Sequence, residues 1–128
     1  MTTGTITKKI KILIIDDSAI VRKILTTELA RYQFIEIVGT APDPYVARSK
    51  IVALNPDVLI LDIKLPDISG LDILRRIHEI SPGTRVIVNT GYVDQDIIDE
   101  AERLGRDAFL QKPFDLEVLW GEVDKLIR

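Results

Sequence analysis

Residues 10–18 read Ile10-Lys11-Ile12-Leu13-Ile14-Ile15-Asp16-Asp17-Ser18, a run of six with five apolar members that ends on two carboxylates and a hydroxyl. A nearly continuous apolar run of this length is the pattern of a strand covered on both faces. Charged groups set directly after such a run must be exposed or paired. The arrangement returns along the chain. Asp57–Leu61 (DVLIL) leads to Asp62, Arg85–Thr90 (RVIVNT) to Gly91, and Ala108–Gln111 (AFLQ) to Lys112-Pro113; Ile35–Thr40 (IEIVGT) is the remaining run. The run ends fall near 16, 40, 62, 90 and 112, a spacing of 22 to 28 residues, or about one strand-and-helix unit each. That alternation predicts an α/β domain with a parallel sheet.

Between the runs lie helical patterns. The first places Val21, Ile24, Leu25 and Leu29 on one face after Ser18 and predicts that stripe to be core. The second opens with Asp43-Pro44, a capping residue followed by proline at the first helical position. The third follows Ser69-Gly70-Leu71-Asp72, a capping-box pattern, and stops before Ser81-Pro82-Gly83. The fourth starts after Asp94, carries Ile97, Ile98, Ala101 and Leu104, and ends at Gly105. The fifth starts after Asp115 and carries Leu116, Leu119, Trp120, Val123 and Leu126.

The chain has 128 residues, 46% apolar and 29% charged, which suits one domain with its own core. Residues 1–9 (MTTGTITKK) read as a loose tail and 10–128 as the domain. With no cysteine there is no disulfide framework and no thiolate chemistry, which suits a cytoplasmic location. No apolar run approaches the ~20 residues that span a membrane. Net charge is unevenly spread: residues 1–92 carry 12 basic and 10 acidic groups, hence +2, whereas residues 93–128 carry 5 and 10, hence −5. So acidic a C-terminal third argues against direct nucleic-acid binding and suits a basic protein partner.

In open α/β sheets, ligands bind at the carboxyl ends of the strands, where strand order reverses. Asp16, Asp17 and Asp62 at those ends repel one another. A hard divalent cation relieves the repulsion, and oxygen ligands with no His or Cys nearby favour Mg²⁺ over zinc. One carboxylate can then attack phosphorus in line, with Lys112 and the Thr90 hydroxyl on phosphoryl oxygens and Gly91 leaving room.

The set Asp16-Asp17-Ser18, Asp62-Ile63-Lys64-Leu65-Pro66 with Gly70, Thr90-Gly91 and Lys112-Pro113-Phe114 resembles the receiver domain of two-component response regulators over about residues 10–127. Leu65 stands where that family more often has Met. The resemblance implies a flavodoxin-like (βα)5 doubly wound sheet of strand order 2-1-3-4-5. It implies a phosphorylation-activated switch: Asp62 accepts a phosphoryl group from the phosphohistidine of a sensor kinase or phosphotransfer protein. Asp17, Asp62 and the Lys64 backbone carbonyl ligate Mg²⁺, Asp16 acting mainly through water. Thr90 and Lys112 contact the phosphoryl group, and Phe109 is the switch aromatic. Further implications are a cis Lys112–Pro113 bond and an output surface on the fourth helix, fifth strand and fifth helix. Lys64 and Tyr92 occupy positions that tune phosphoryl loss. Self-phosphorylation and self-dephosphorylation are the only chemistry implied, with a monomer or weak dimer as the working form. Docking of the donor is placed near the first helix, where Arg22, Lys23 and Arg31 read as solvated charges. His78, the only histidine, reads as structural or exposed.

Residues 11–74 resemble in particular the receiver of the chemotaxis methylesterase, whereas the part from Arg85 onward looks like a generic single-domain receiver. The chain therefore reads as a standalone regulator, an excised receiver or a recombined chain. Two other functions compete. A Mg²⁺-dependent phosphatase of the haloacid-dehalogenase type needs a second Asp two residues after the nucleophile, where this chain has Lys64. A phosphorylation-independent interaction module would leave Asp62, Asp17, Thr90 and Lys112 unused.

Overall fold

The structure is a computed structural model that describes residues 9–63, 70–91, 95–113 and 115–127. Five strands, β1 (Ile10–Ile15), β2 (Ile35–Ala41), β3 (Val58–Leu61), β4 (Arg85–Thr90) and β5 (Ala108–Gln111), alternate with five helices. The helices are α1 (Ala19–Leu29), α2 (Pro44–Leu54), α3 (Leu71–Ile80), α4 (Gln95–Arg103) and α5 (Leu116–Ile127). All strand pairs are parallel, in the order β2-β1-β3-β4-β5. The expected α/β class, flavodoxin-like architecture and 2-1-3-4-5 order are therefore those observed.

Period-two alternation splits the strand side chains between two cores. Leu13, Ile15, Leu59, Leu61, Val86 and Val88 pack with residues of α2, α3 and α4. Ile12, Ile14, Val58, Ile60, Ile87, Ala108 and Leu110 pack with Leu25 and Leu29 of α1 and Leu119 and Val123 of α5. Burial on both faces explains the wholly apolar run of β3 and the run of β1 that only Lys11 interrupts. β2 is one of the two edge strands, with only its first and last residues buried.

The helix ends follow local chemistry. Ser18 Oγ accepts from the Val21 amide at 3.2 Å, and one Asp43 carboxylate oxygen accepts from the Tyr45 and Val46 amides at 2.9 Å each, ahead of Pro44. α4 is followed by Gly105 at φ +90°, a conformation that favours glycine. Two expectations shift. α3 begins at Leu71 with Gly70 as its cap and no side-chain cap bond, and Ser69 lies outside the described residues. In α1 only Leu25 and Leu29 are buried; Ile24 is 50% exposed and Ile20 73%. The core-facing stripe of α1 is narrower than its apolar content, because α1 lies at the side of the sheet that it shares with α5. Beyond the end of α1, Tyr32 stacks on Trp120 of α5, ring centroids 4.7 Å apart and planes 12° from parallel. Among the described residues no helix is long and apolar enough to cross a membrane.

Candidate functional site

The reversal of strand order places the carboxyl ends of β1 and β3 side by side, with β4 and β5 beyond. Each strand delivers one polar group to that edge. The Asp16 amide donates to the Ala41 carbonyl at 3.0 Å and the Asp62 amide to the Ile15 carbonyl at 2.9 Å, so both residues continue the ladder one step past their strands. Asp16 is fully buried, Asp62 is 5% exposed and Asp17 faces solvent. The Asp16 carboxylate accepts from the Ser18 amide at 2.9 Å, a turn that feeds the chain into α1.

Carboxylate oxygens of Asp16, Asp17 and Asp62 lie within 4.8 Å of one another. Two unit charges 4.8 Å apart repel by roughly 3.5 kcal/mol at an effective dielectric near 20. Among the described residues the counter-charge is Lys112, whose Nζ donates to Asp16 Oδ2 at 2.6 Å and to Asp62 Oδ2 at 3.2 Å. Burial lowers the pKa of this ammonium, but the Asp16 hydrogen bond and the attraction of Asp62 and Asp16 together outweigh it and leave the pKa raised. Three carboxylates against one ammonium leave a formal −2, which a divalent cation cancels. The donors are hard oxygens, so the residues present fit Mg²⁺.

Thr90 is buried at the end of β4, and its carbonyl accepts from the Lys112 amide at 2.9 Å. A Cβ on Gly91 would meet only the Lys112 Cβ, at 3.9 Å, so the floor beside the lysine is open. A Cβ on Gly70 would lie 2.6 Å from the Asp62 carbonyl oxygen and 2.7 Å from the Ile63 Cα. Glycine is needed there because α3 starts against the backbone of the acidic strand end. Phe109 is half-buried against the α2–α4 core, and the Lys112–Pro113 bond is cis.

Asp16, Asp17, Asp62, Thr90 and Lys112 thus meet at one edge, as their spacing predicted. Lys64 and Tyr92, together with Leu65, Pro66 and Phe114, lie outside the described residues. Arg22 differs from its reading as a solvated charge: it is half-buried, and its Nη1 donates to the Asp16 carbonyl at 2.6 Å. Its position four residues into α1 carries no such signal in one dimension. Asn89, fully buried in β4, is a second residue that the sequence reading passes over. Its signal was a lone amide in an otherwise apolar strand. His78 is exposed.

A family model for the response regulator receiver domain matches residues 12–124. The chain belongs to that family. Among curated proteins, this receiver is 55% identical over 82 residues to a protein-glutamate methylesterase/protein-glutamine glutaminase of Syntrophus aciditrophicus, covering 64% of the chain and 24% of that protein. It is 43% identical over 107 residues to the corresponding protein of Nitrosomonas europaea, covering 83% of the chain and 30% of that protein. The second match carries the likeness well beyond residues 11–74. The chain therefore spans about a quarter to a third of these relatives, and the activities in their names belong to much longer proteins. Among solved structures it resembles the response regulator domain of Thermotoga maritima CheB, with TM-score 0.81, 29% identity, and 94% and 98% of the two chains covered. It also resembles the chain matched in the CheX-CheY-BeF3-Mg²⁺ complex of Borrelia burgdorferi, with TM-score 0.84, 27% identity, and 94% and 91% covered.

Proposed function

We propose that this receiver is a phosphorylation-activated switch with Asp62 as the phosphoacceptor. The observation that carries the reading is the lysine bridge: one ammonium from the end of β5 reaches two buried carboxylates at the ends of β1 and β3. A cluster costly to desolvate is poised for a ligand that brings its own charge. In the transfer step a carboxylate oxygen of Asp62 bonds phosphorus as the bond from phosphorus to the donor imidazole nitrogen breaks. The imidazole keeps the electron pair and takes up a proton. Asp16, Asp17 and Asp62, with the Lys64 backbone carbonyl, would hold Mg²⁺, which supplies neutralisation of phosphoryl charge when bound.

The raised pKa of Lys112 keeps it charged at neutral pH, ready to pair with a phosphoryl oxygen. The Thr90 hydroxyl donates to another. Phosphorylation changes the net charge by only about −1, so the signal travels through positions rather than field. Thr90 and Lys112 draw in the ends of β4 and β5, and Phe109 moves into the space vacated. Inverting a 1:99 population takes about 5.5 kcal/mol, within reach of a few charge-assisted hydrogen bonds at ~1.5–3 kcal/mol each. The readout surface is α4, β5 and α5, whose acidic character suits a basic partner. The donor is a histidine kinase or phosphotransfer protein in the cytoplasm. Lys64 and Tyr92 set the lifetime of the phosphorylated state.

The test is intact-protein mass after incubation with Mg²⁺ and acetyl phosphate, run beside Asp62→Asn. The expected result is a gain of one phosphoryl group that requires Mg²⁺ and vanishes in the variant. A gain that survives Asp62→Asn means a different acceptor, and no gain in the wild type favours a receiver fold that only binds partners.

A further inference from the structure

Asn89 is fully buried, and among the described residues neither its Nδ2 nor its Oδ1 has a hydrogen-bond partner. Buried polar groups are almost always paired, so one with both ends idle calls for a reason. Its place in the sheet supplies one. Ile15 pairs with Leu61 and Leu61 with Val88, so one step further Asp16, Asp62 and Asn89 stand in a single row across β1, β3 and β4. Asn89 itself pairs with Leu110 of β5. The residues two positions earlier, Ile14, Ile60, Ile87 and Ala108, all belong to the core beneath α1 and α5, as does Leu110. Period-two alternation therefore puts the row on that same face.

Lys112 follows Leu110 by two and shares its face. To reach Asp62 and Asp16 from the β5 side, its side chain must cross β4, on the face where Asn89 lies. Neighbouring strands are about 4.8 Å apart, so the amide stands one strand from the acceptor carboxylate, on the face over which the lysine reaches from beside Gly91.

We propose that Asn89 is a positioning residue for phosphoryl transfer: its Nδ2 donates to the Asp62 carboxyl oxygen that Lys112 releases when the ammonium moves to the phosphoryl group. The inference rests on Asp62 being the acceptor. In the structure as it stands Lys112 holds that oxygen at 3.2 Å, and a second donor is idle. Once the ammonium leaves, the oxygen has a lone pair open to another donor and the amide gains an acceptor. The amide is thus unsatisfied before transfer and satisfied after it. Because the ammonium shifts as the phosphoryl group approaches, the amide bond is made in the transition state and not in the ground state, which is what raises a rate.

The experiment compares Asn89→Val with Asn89→Thr, side chains of matching shape that differ in one hydroxyl. With acetyl phosphate as donor, an Asp62 oxygen bonds phosphorus as the bond from phosphorus to the acetate oxygen breaks, and acetate leaves with the electron pair. The mass-resolved rate at saturating donor and Mg²⁺ is read together with half-saturating Mg²⁺ and the urea midpoint. The expected result is that Asn89→Val unfolds at the same or higher urea and binds Mg²⁺ unchanged, yet is phosphorylated at least tenfold more slowly. Asn89→Thr stays within about threefold of wild type. Equal rates for Asn89→Val and wild type, or equal slowing of both variants, would overturn the proposal while leaving Asp62 as acceptor. A wild type that gains no phosphoryl group, or gains one that survives Asp62→Asn, removes the reading beneath it and the proposal with it.

Discussion

At the scale of single residues, Lys112 bridges two buried carboxylates. Its side chain is 23% exposed, yet it holds a carboxylate with no exposure at all. Removing one partner of such a pair leaves a buried charge uncompensated. The pH dependence follows from the direction of its pKa. The folded value lies above the ordinary 10.5, so the stabilisation is fully present below 10.5 and is lost as pH rises through the folded value. We expect Lys112→Met to unfold at lower urea than wild type at pH 7. The gap between the two urea midpoints should stay constant up to about pH 10 and close above it. A gap that stays equally wide above that pH would contradict the assignment. The polar residues at the strand ends were legible because charge after an apolar run is conspicuous. Asn89 and Arg22 were not, because what matters about them is a row across three strands and a reach of one guanidinium to the Asp16 carbonyl. Arg22 leaves no trace of this in linear order, and Asn89 shows there only as an amide after three apolar residues.

At the scale of elements, strands were easier to read than helix beginnings. β1, β4 and β5 have the bounds that their largely apolar runs suggest, since burial on both faces leaves little room for polar side chains. The start of α2 was equally plain in Asp43-Pro44. There the cap bonds two amides with one oxygen, and a capping residue contributes about 1 kcal/mol. Asp43→Ala should therefore lower unfolding free energy by about 1 kcal/mol, measured by urea denaturation, while the phosphorylation rate stays at the wild-type value. α3 is the opposite case. Its sequence offers a capping box, but the space beside Asp62 admits only the hydrogen of Gly70, so packing against the strand end sets where the helix begins. α1 shows a third situation. Ile20 and Ile24 extend its apolar content beyond the face that the sheet and α5 cover, and periodicity alone does not say how wide the covered face is.

At the scale of the whole molecule, the acidic cluster exists only when two distant segments of chain, the ends of β1 and β3, are brought together by the sheet. A cation that binds there binds the folded state and not the unfolded one, which links metal affinity to stability. At a hundredfold excess over its dissociation constant this linkage amounts to about 2.7 kcal/mol, or on the order of 10 °C in melting temperature for a domain of this size. Thermal unfolding followed against Mg²⁺ should show a saturating rise that chelation reverses and that Asp17→Asn largely abolishes. The contact between Tyr32 and Trp120 gives the molecule one more property. Trp120 is the only tryptophan in the chain, so the whole of the indole emission comes from a single ring lying against a phenol where the end of α1 meets α5. The protein carries its own optical gauge of that junction. A change in emission on phosphorylation would be a message received on the far side of the sheet's edge, written in light by a pair of rings that touches none of the phosphoryl chemistry.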